Sequence, residues 1–197
     1  MNLDVDAIHE QVRTRFAAVA MEPGAEKRFE IGYASAVKLG YDERTLDALP
    51  ACAVESFAGV GDPLSLGPIA RGMTVLDLGC GSGVDTLIAA ERVGPGGRVI
   101  GVDMTEAMLD RARRACAERG CDNVEIRQGL VDGLDVGDES VDLVISNGVI
   151  NLCPDKERVL REVHRVLRSG GALQVADMSL VDGVEPGLLE RVGEWSD

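Results

Sequence analysis

The sequence predicts an α/β protein built on a parallel sheet, and three observations carry that prediction. Five short runs rich in β-branched and aliphatic residues alternate with stretches of helical period, an order that places crossover helices between parallel strands. Three glycines, Gly79, Gly81 and Gly83, stand where the first run gives way to a helix. The composition is 45% apolar with only 3% aromatic residues, as expected of a core made from Val, Leu, Ile and Ala.

Taken in chain order, Val5, Ile8, Val12, Phe16 and Val19 recur at steps of three and four, which predicts a helix with one apolar face. Beyond Pro23-Gly24, a second helix is expected from Glu26 to Leu39 with Gly40 as its stop, and a short third from Asp42 to Leu49. Pro50 to Arg71, with Phe57-Ala-Gly-Val-Gly61, reads as a shaped loop of the kind that lines sites. The predicted strands are Thr74 to Leu78, Arg98 to Asp103, Val124 to Gln128, Val141 to Ser146 and Ala172 to Asp177. Thr105 is expected to cap a helix with the face Met108, Ala112 and Ala115, ended by Gly120. Asp155 is expected to cap another, with the face Val159, Val163, Val166 and Leu167 and the stop Gly170-Gly171. At 197 residues this is one domain with an appendage, divided as a helical segment with a covering loop over residues 1–70, a core over 71–178 and a tail over 179–197.

A net charge of −14 disfavours a nucleic-acid partner, since the one basic cluster, Arg111, Arg113 and Arg114, is diluted by acids on its own helix. A small neutral or cationic substrate suits the surface better. Met1 to Ala20 lacks the unbroken apolar run that a leader or a membrane span needs, so a cytoplasmic protein without membrane contact is expected. Cys52, Cys80, Cys116, Cys121 and Cys153 are odd in number and show no metal-ligand spacing, which predicts free thiols and no metal site.

The glycine turn carries the functional signal. Its GxGxG spacing departs from the GxGxxG of nicotinamide dinucleotide sites, and no basic residue lies between Gly79 and Gly83 to meet a phosphate. Asp77, just ahead of the turn, would repel a pyrophosphate but attract a cationic ligand. Asp103 ends the second strand, where an acid in a βαβ nucleotide site accepts hydrogen bonds from ribose hydroxyls. A glycine after a strand can also serve only to let a helix pack closely, and that reading stays open for each glycine taken alone.

At these residues the chain resembles the class I S-adenosylmethionine-dependent methyltransferases. Val75-Leu-Asp-Leu-Gly-Cys-Gly-Ser-Gly83 is similar to their first motif, and Val99-Ile-Gly-Val-Asp-Met104 to the segment that ends in the ribose-binding acid. The resemblance runs from about residue 55 to residue 178 and is strongest to bacterial arsenite methyltransferases, through Glu55 to Gly61, Asp103-Met-Thr105 and Ser146 to Lys156. It implies a Rossmann-like sheet of order 3-2-1-4-5, lacking the last two strands usual in the family, and S-adenosylmethionine as cofactor. It also implies that Gly79, Gly81 and Gly83 contact the methionine part, with Asp77 and Cys80 in the same loop, and that Asp103 binds ribose. Met104 and Val131 would sandwich adenine with Asp132 near its amino group, Asn147 would lie beside the methionine moiety, and Asp85 matches an acid after the loop in the arsenite relatives.

This chain departs from that family at the acceptor side. The arsenite enzymes hold trivalent arsenic on three cysteines, but here Gly148 follows Ser146-Asn147, Phe57 to Gly61 contains no cysteine, and neither does 178–197. Cys52 and Cys153 lie near two of those places, off register, while Glu55, Phe57 and Asp62 are candidates for shaping the acceptor side. His9 and His164 are expected at the surface, and no catalytic residue is assigned. The expected function is methyl transfer to a small-molecule acceptor, arsenite or another soft or amine nucleophile. The alternative is a cofactor-binding half of a split or partner-dependent enzyme, because Ala172-Asp177 would form an exposed sheet edge to be covered by a homodimer mate or a second polypeptide.

Overall fold

The computed structural model describes residues 4–179. Its twelve regular elements among those residues are α1 (Val5–Met21), α2 (Gly32–Lys38), α3 (Glu43–Asp47), α4 (Ala51–Val54), β1 (Thr74–Leu78), α5 (Val84–Val93), β2 (Arg98–Asp103), α6 (Glu106–Arg119), β3 (Val124–Gln128), β4 (Val141–Asn147), α7 (Lys156–Val166) and β5 (Leu167–Ala176). All four strand pairings are parallel, and the order is β3-β2-β1-β4-β5, as the sequence predicts. β1 is central, so its residues 75–78 are wholly buried and its carboxyl end opens between β2 and β4, the crevice where open α/β sheets bind ligands.

The two faces of the sheet are covered by different apolar clusters. One gathers Leu76, Leu78, Ile100, Val102 and Val144 with Val159, Val163 and Val166 of α7. The other joins Val75, Val99, Leu143 and Ile145 to α5 and to residues of the N-terminal half, including Leu46, Ala53, Val54 and Phe57. The N-terminal segment is thus continuous with the core. α1 lies along α6, with Val19 and Ala20 against Met108. Arg111 of α6 fixes that seam, its guanidinium donating to Ala20 O at 2.5 Å and Cys52 O at 3.0 Å.

Four expectations about elements need correction. Pro50 to Arg71 is not loop throughout, because Ala51–Val54 forms α4, which buries Cys52, Ala53 and Val54. The second helix starts at Gly32 and not at Glu26, because the chain before it is held extended, Ile31 having φ −132° and ψ 170° and Gly32 N–H reaching across to Phe57 O at 2.7 Å. Leu167 does not continue α7. It turns extended and pairs with Val141, and the next pairing is Leu143 with Ala172, so Arg168 to Gly171 bulge from the strand, and Gly170-Gly171 serves that bulge instead of a helix stop. Thr105 stands at the cap of α6, but its side chain makes no capping bond; Asp103 Oδ1 accepts from Thr105 N–H at 2.8 Å instead. Asp155 does cap α7, accepting from Arg158 N–H at 2.8 Å, and Asp42 caps α3 by a bond from Thr45 N–H at 2.9 Å. The tail assigned to 179–197 lies outside the described residues from residue 180 onward.

Candidate active site

A pocket opens at the carboxyl end of β1, walled by the glycine turn, the ends of β2 and β4, the loop before β1 and one face of α1. The turn is built by backbone geometry that only glycine takes without strain: Gly79 has φ +65° and Gly81 φ +51°. A Cβ on Gly79 would stand 2.3 Å from Val149 Cγ2, so the turn also needs the space. A Cβ on Gly81 would meet no protein atom within 4 Å, which leaves its Cα facing open pocket. Gly83, with φ +92°, plays another part. It does not line the pocket, and a Cβ there would press on Ala112 of α6 at 3.2 Å, so Gly83 starts α5 and lets it pack closely on α6. The methionine contact that the resemblance implied for Gly83 has no counterpart among the residues that line this pocket.

The acids converge as spacing alone could only suggest. Asp103 Oδ2 accepts from Gly81 N–H at 3.0 Å and its Oδ1 from Thr105 N–H, so the carboxylate is locked between the turn and the start of α6. Burial pushes its pKa up, against the pull of those backbone bonds. Asp77 is buried beneath the turn, accepting from Thr86 Oγ1 at 2.5 Å, and burial together with the nearby Asp85 holds its pKa well above the usual carboxylate range. Asp85 is buried as well, with its pKa pushed up to about 6 by burial and moderated by hydrogen bonds from Tyr41 and Asn147.

Of the other expected cofactor residues, Met104, Val131, Asp132 and Asn147 all face the pocket, as do Gly79, Cys80 and Gly81. Cys80 is mostly buried, its Sγ within 3.0 Å of where a Cβ on Gly101 would sit, so it fills the space beneath the turn. Burial raises its thiol pKa. Asn147 spans the pocket mouth: its Oδ1 accepts from Val60 N–H at 2.8 Å and Gly61 N–H at 3.2 Å, and its Nδ2 donates to Gly61 O at 2.9 Å. Those bonds bring the loop before β1 over the end of β4. Phe57 lines the pocket, whereas Glu55 points outward to Arg111 at 3.3 Å and Asp62 caps the turn at Leu64, so neither of these acids faces it.

Sequence reasoning missed several wall residues. His9, Val12 and Phe16 of α1 reach the pocket, and His9 is partly buried there, not at the open surface; His164 is exposed as expected. The only signal was the apolar face of α1, which shows that the helix docks but not where. Tyr41 was also missed, because its partners lie 44 and 106 residues away. Cys153 lines the pocket beside Val149 and Leu152, its thiol pKa raised to about 11 by burial, while Cys52 lies behind α6 and away from it. Among the described residues no group of three or more His, Cys, Asp and Glu side chains is placed to hold a metal, and no helix is long and apolar enough to cross a membrane.

A parallel sheet of this order, with a glycine turn after its central strand and an acid at the end of the next, defines the class I methyltransferase fold. The chain belongs to the methyltransferase domain family, whose model matches residues 69–196. It is 40% identical over 189 residues to an arsenite methyltransferase of Halobacterium salinarum, a match that covers 89% of this chain and 48% of that one. It is also similar to the crystal structure of an arsenic(III) S-adenosylmethionine methyltransferase from Chlamydomonas reinhardtii, with 44% identity and a TM-score of 0.63, over 68% of this chain and 47% of that one. A SAM-dependent methyltransferase from Aquifex aeolicus matches at 26% identity and a TM-score of 0.56, covering 68% of this chain and 80% of that one. The chain spans about half the length of the arsenite methyltransferase of Halobacterium salinarum.

Proposed function

We propose that the chain binds S-adenosylmethionine in this pocket and forms the methyl-donor core of an enzyme acting on a small, soft nucleophile. The observation that carries the reading is electrostatic. Asp77, Asp85, Asp103 and Asp132 line the pocket, and no lysine or arginine does so among the described residues. Burying several carboxylates together is unfavourable unless a cation joins them, and the sulfonium and ammonium of S-adenosylmethionine are such cations. When bound, this cofactor supplies a methyl group activated on sulfur.

The chain's own residues then have separate tasks. Gly79 and Gly81 allow the backbone to approach the ligand, Asp103 receives the ribose hydroxyls, and Met104 and Val131 provide apolar contact for adenine, with Asp132 at its polar edge. Asp77 and Asp85 provide the negative charge that favours the methionine end, beside Asn147. Methyl transfer to a nucleophile that already carries a lone pair needs alignment and exclusion of water more than proton transfer. The apolar wall of Phe57, Val149 and Leu152 serves both. Arsenite is the acceptor to test first, because relatives carry that activity in their names. Of the five cysteines, Cys80 and Cys153 line the pocket; Cys80 is tucked beneath the glycine turn, so Cys153 is the thiol beside the apolar wall to test against a soft metalloid. Free thiols fit a reducing, cytoplasmic setting.

Titration calorimetry with S-adenosylmethionine and NAD in parallel tests the donor assignment. Saturable binding of the first and none of the second is expected, and binding of NAD alone would overturn it. Incubation of the chain with arsenite and labelled donor then tests the acceptor, with methylated arsenic as the expected product.

Donor binding is also expected to strengthen with pH. The ionised form of Asp85 favours a cation, so affinity gains as pH rises through about 6 and levels off above it. Between pH 5 and pH 7 this one group accounts for about a tenfold gain. A flat profile over that range would contradict the role given to Asp85.

A second reading rests on β5, which forms one edge of the sheet of described residues and carries the exposed Leu173. On that reading a mate or a further polypeptide covers the edge and activity depends on it. Activity of a chain that stays monomeric in light scattering would exclude this.

A further inference from the structure

We propose that Tyr41 is a positioning residue for the methyl donor: its hydroxyl fixes the carboxylate of Asp85 in the pocket, and Asn147 ties the same pair to the loop before β1. The proposal rests on the donor assignment above and adds a residue to it. Tyr41 stands between α2 and α3, mostly buried, with its ring edge-on to Phe57 at a centroid distance of 5.2 Å. Its hydroxyl donates to Asp85 Oδ1 at 2.5 Å. That leaves the phenol oxygen as an acceptor, and Asn147 Nδ2 stands 3.0 Å from it, 3.0 Å from Asp85 Oδ2 and 2.9 Å from Gly61 O, its two N–H groups shared among these three acceptors.

The result is a closed ring of three side chains from three separate parts of the chain. Each makes the others' orientation unique: both carboxylate oxygens of Asp85 are engaged, and the amide of Asn147 has its oxygen turned to Val60 N–H and Gly61 N–H. A Cβ on Gly59 would fall 2.4 Å from Asn147 Nδ2, so the loop sits directly against this ring. The ring therefore links the charge of Asp85 to the position of the loop that walls the pocket. Other groups act on Asp85 too. Asp62 and Asp77 oppose its ionisation and Arg92, on its own helix, favours it, while Tyr41 and Asn147 are the neighbours that hydrogen-bond it. Tyr41 itself stays protonated, since burial and Asp85 both raise its pKa, and so remains a donor.

Removing the hydroxyl should leave the ring's packing in place and take away one of the two bonds that favour the ionised carboxylate. In the full chain, Tyr41→Phe is expected to move the midpoint of the pH profile of affinity upward by up to about one unit, which weakens S-adenosylmethionine binding about twofold at pH 7 and about fivefold at pH 6. A packing role alone would not move that midpoint. Incorporation of 3-fluorotyrosine, in a Tyr33→Phe background so that Tyr41 is the single tyrosine, makes the phenol a stronger donor and should move the midpoint downward. The two arms have opposite signs, and the second needs no loss of a group, so it remains informative if Tyr41→Phe folds poorly. An unchanged midpoint in either arm, or a shift in the same direction in both, would overturn the role of Tyr41 while leaving the donor assignment intact. Absence of binding in the unaltered chain at every pH would instead overturn the donor assignment, and the role of Tyr41 with it.

Discussion

Asp103→Ala is expected to weaken S-adenosylmethionine binding by at least about 100-fold. Two losses combine. The ribose would forfeit hydrogen bonds to a charged acceptor, each worth about 1.5–3 kcal/mol, and a total near 3 kcal/mol corresponds to roughly 100-fold in affinity. The variant also frees Gly81 N–H and Thr105 N–H, which the carboxylate holds at 3.0 Å and 2.8 Å, so the glycine turn loses its anchor to the start of α6. Asp103→Asn keeps one acceptor oxygen and should lie between the two. Calorimetry on the three proteins measures this directly, and an affinity for Asp103→Ala within about threefold of the unaltered chain would exclude Asp103 from the cofactor site.

Leu76→Ala is expected to have the largest effect on stability, about 3–4 kcal/mol. Leu76 lies at the centre of β1, fully buried, between Ile100 of β2 and Val144 of β4 and under α7. Neighbours on three sides are held by the sheet and cannot collapse into the space, which is the condition under which truncation costs most. For a chain of this size the change corresponds to a fall in melting temperature of roughly 10 °C. Urea unfolding followed by circular dichroism provides the check, and a loss below about 1 kcal/mol would mean that the core around β1 repacks freely. Because Asp77 and Gly79 ride on the end of the same strand, weaker donor binding should accompany the loss.

Local patterns were legible because their causes are local. Three of the five strands, Thr74–Leu78, Arg98–Asp103 and Val124–Gln128, have the predicted bounds, since β-branched runs flanked by glycine or polar turns leave little choice of limits. The error at Leu167 has the opposite cause. Its helical spacing after Val163 and Val166 is real, but pairing with Val141 in the sheet outweighs it. The segment from Glu26 to Ile31 is likewise drawn out of a helix by the reach of Gly32 N–H to Phe57 O, a contact that no window of sequence contains.

The site divides in the same way. The turn from Asp77 to Gly81 and the acid Asp103 could be read from the sequence, because a strand, spaced glycines and a terminal acid must lie close along the chain to make a βαβ nucleotide site. Sequence by itself therefore determined the fold class, the glycine turn at the end of β1 and the acids that gather around it. Only the tertiary structure decided which glycine opens on the pocket and which packs a helix: Gly81 faces open space while Gly83 lies against Ala112. It also decided that α1 belongs to the pocket wall, that Tyr41 stands behind the wall residues Asp85 and Asn147, and that Cys153 reaches the pocket while Cys52 does not. The physical reason is that hydrogen bonds and van der Waals contacts act over a few ångströms of space whatever the separation along the chain. Tyr41, Asp85 and Asn147 become neighbours only when α5, β4 and the N-terminal segment pack around the end of β1.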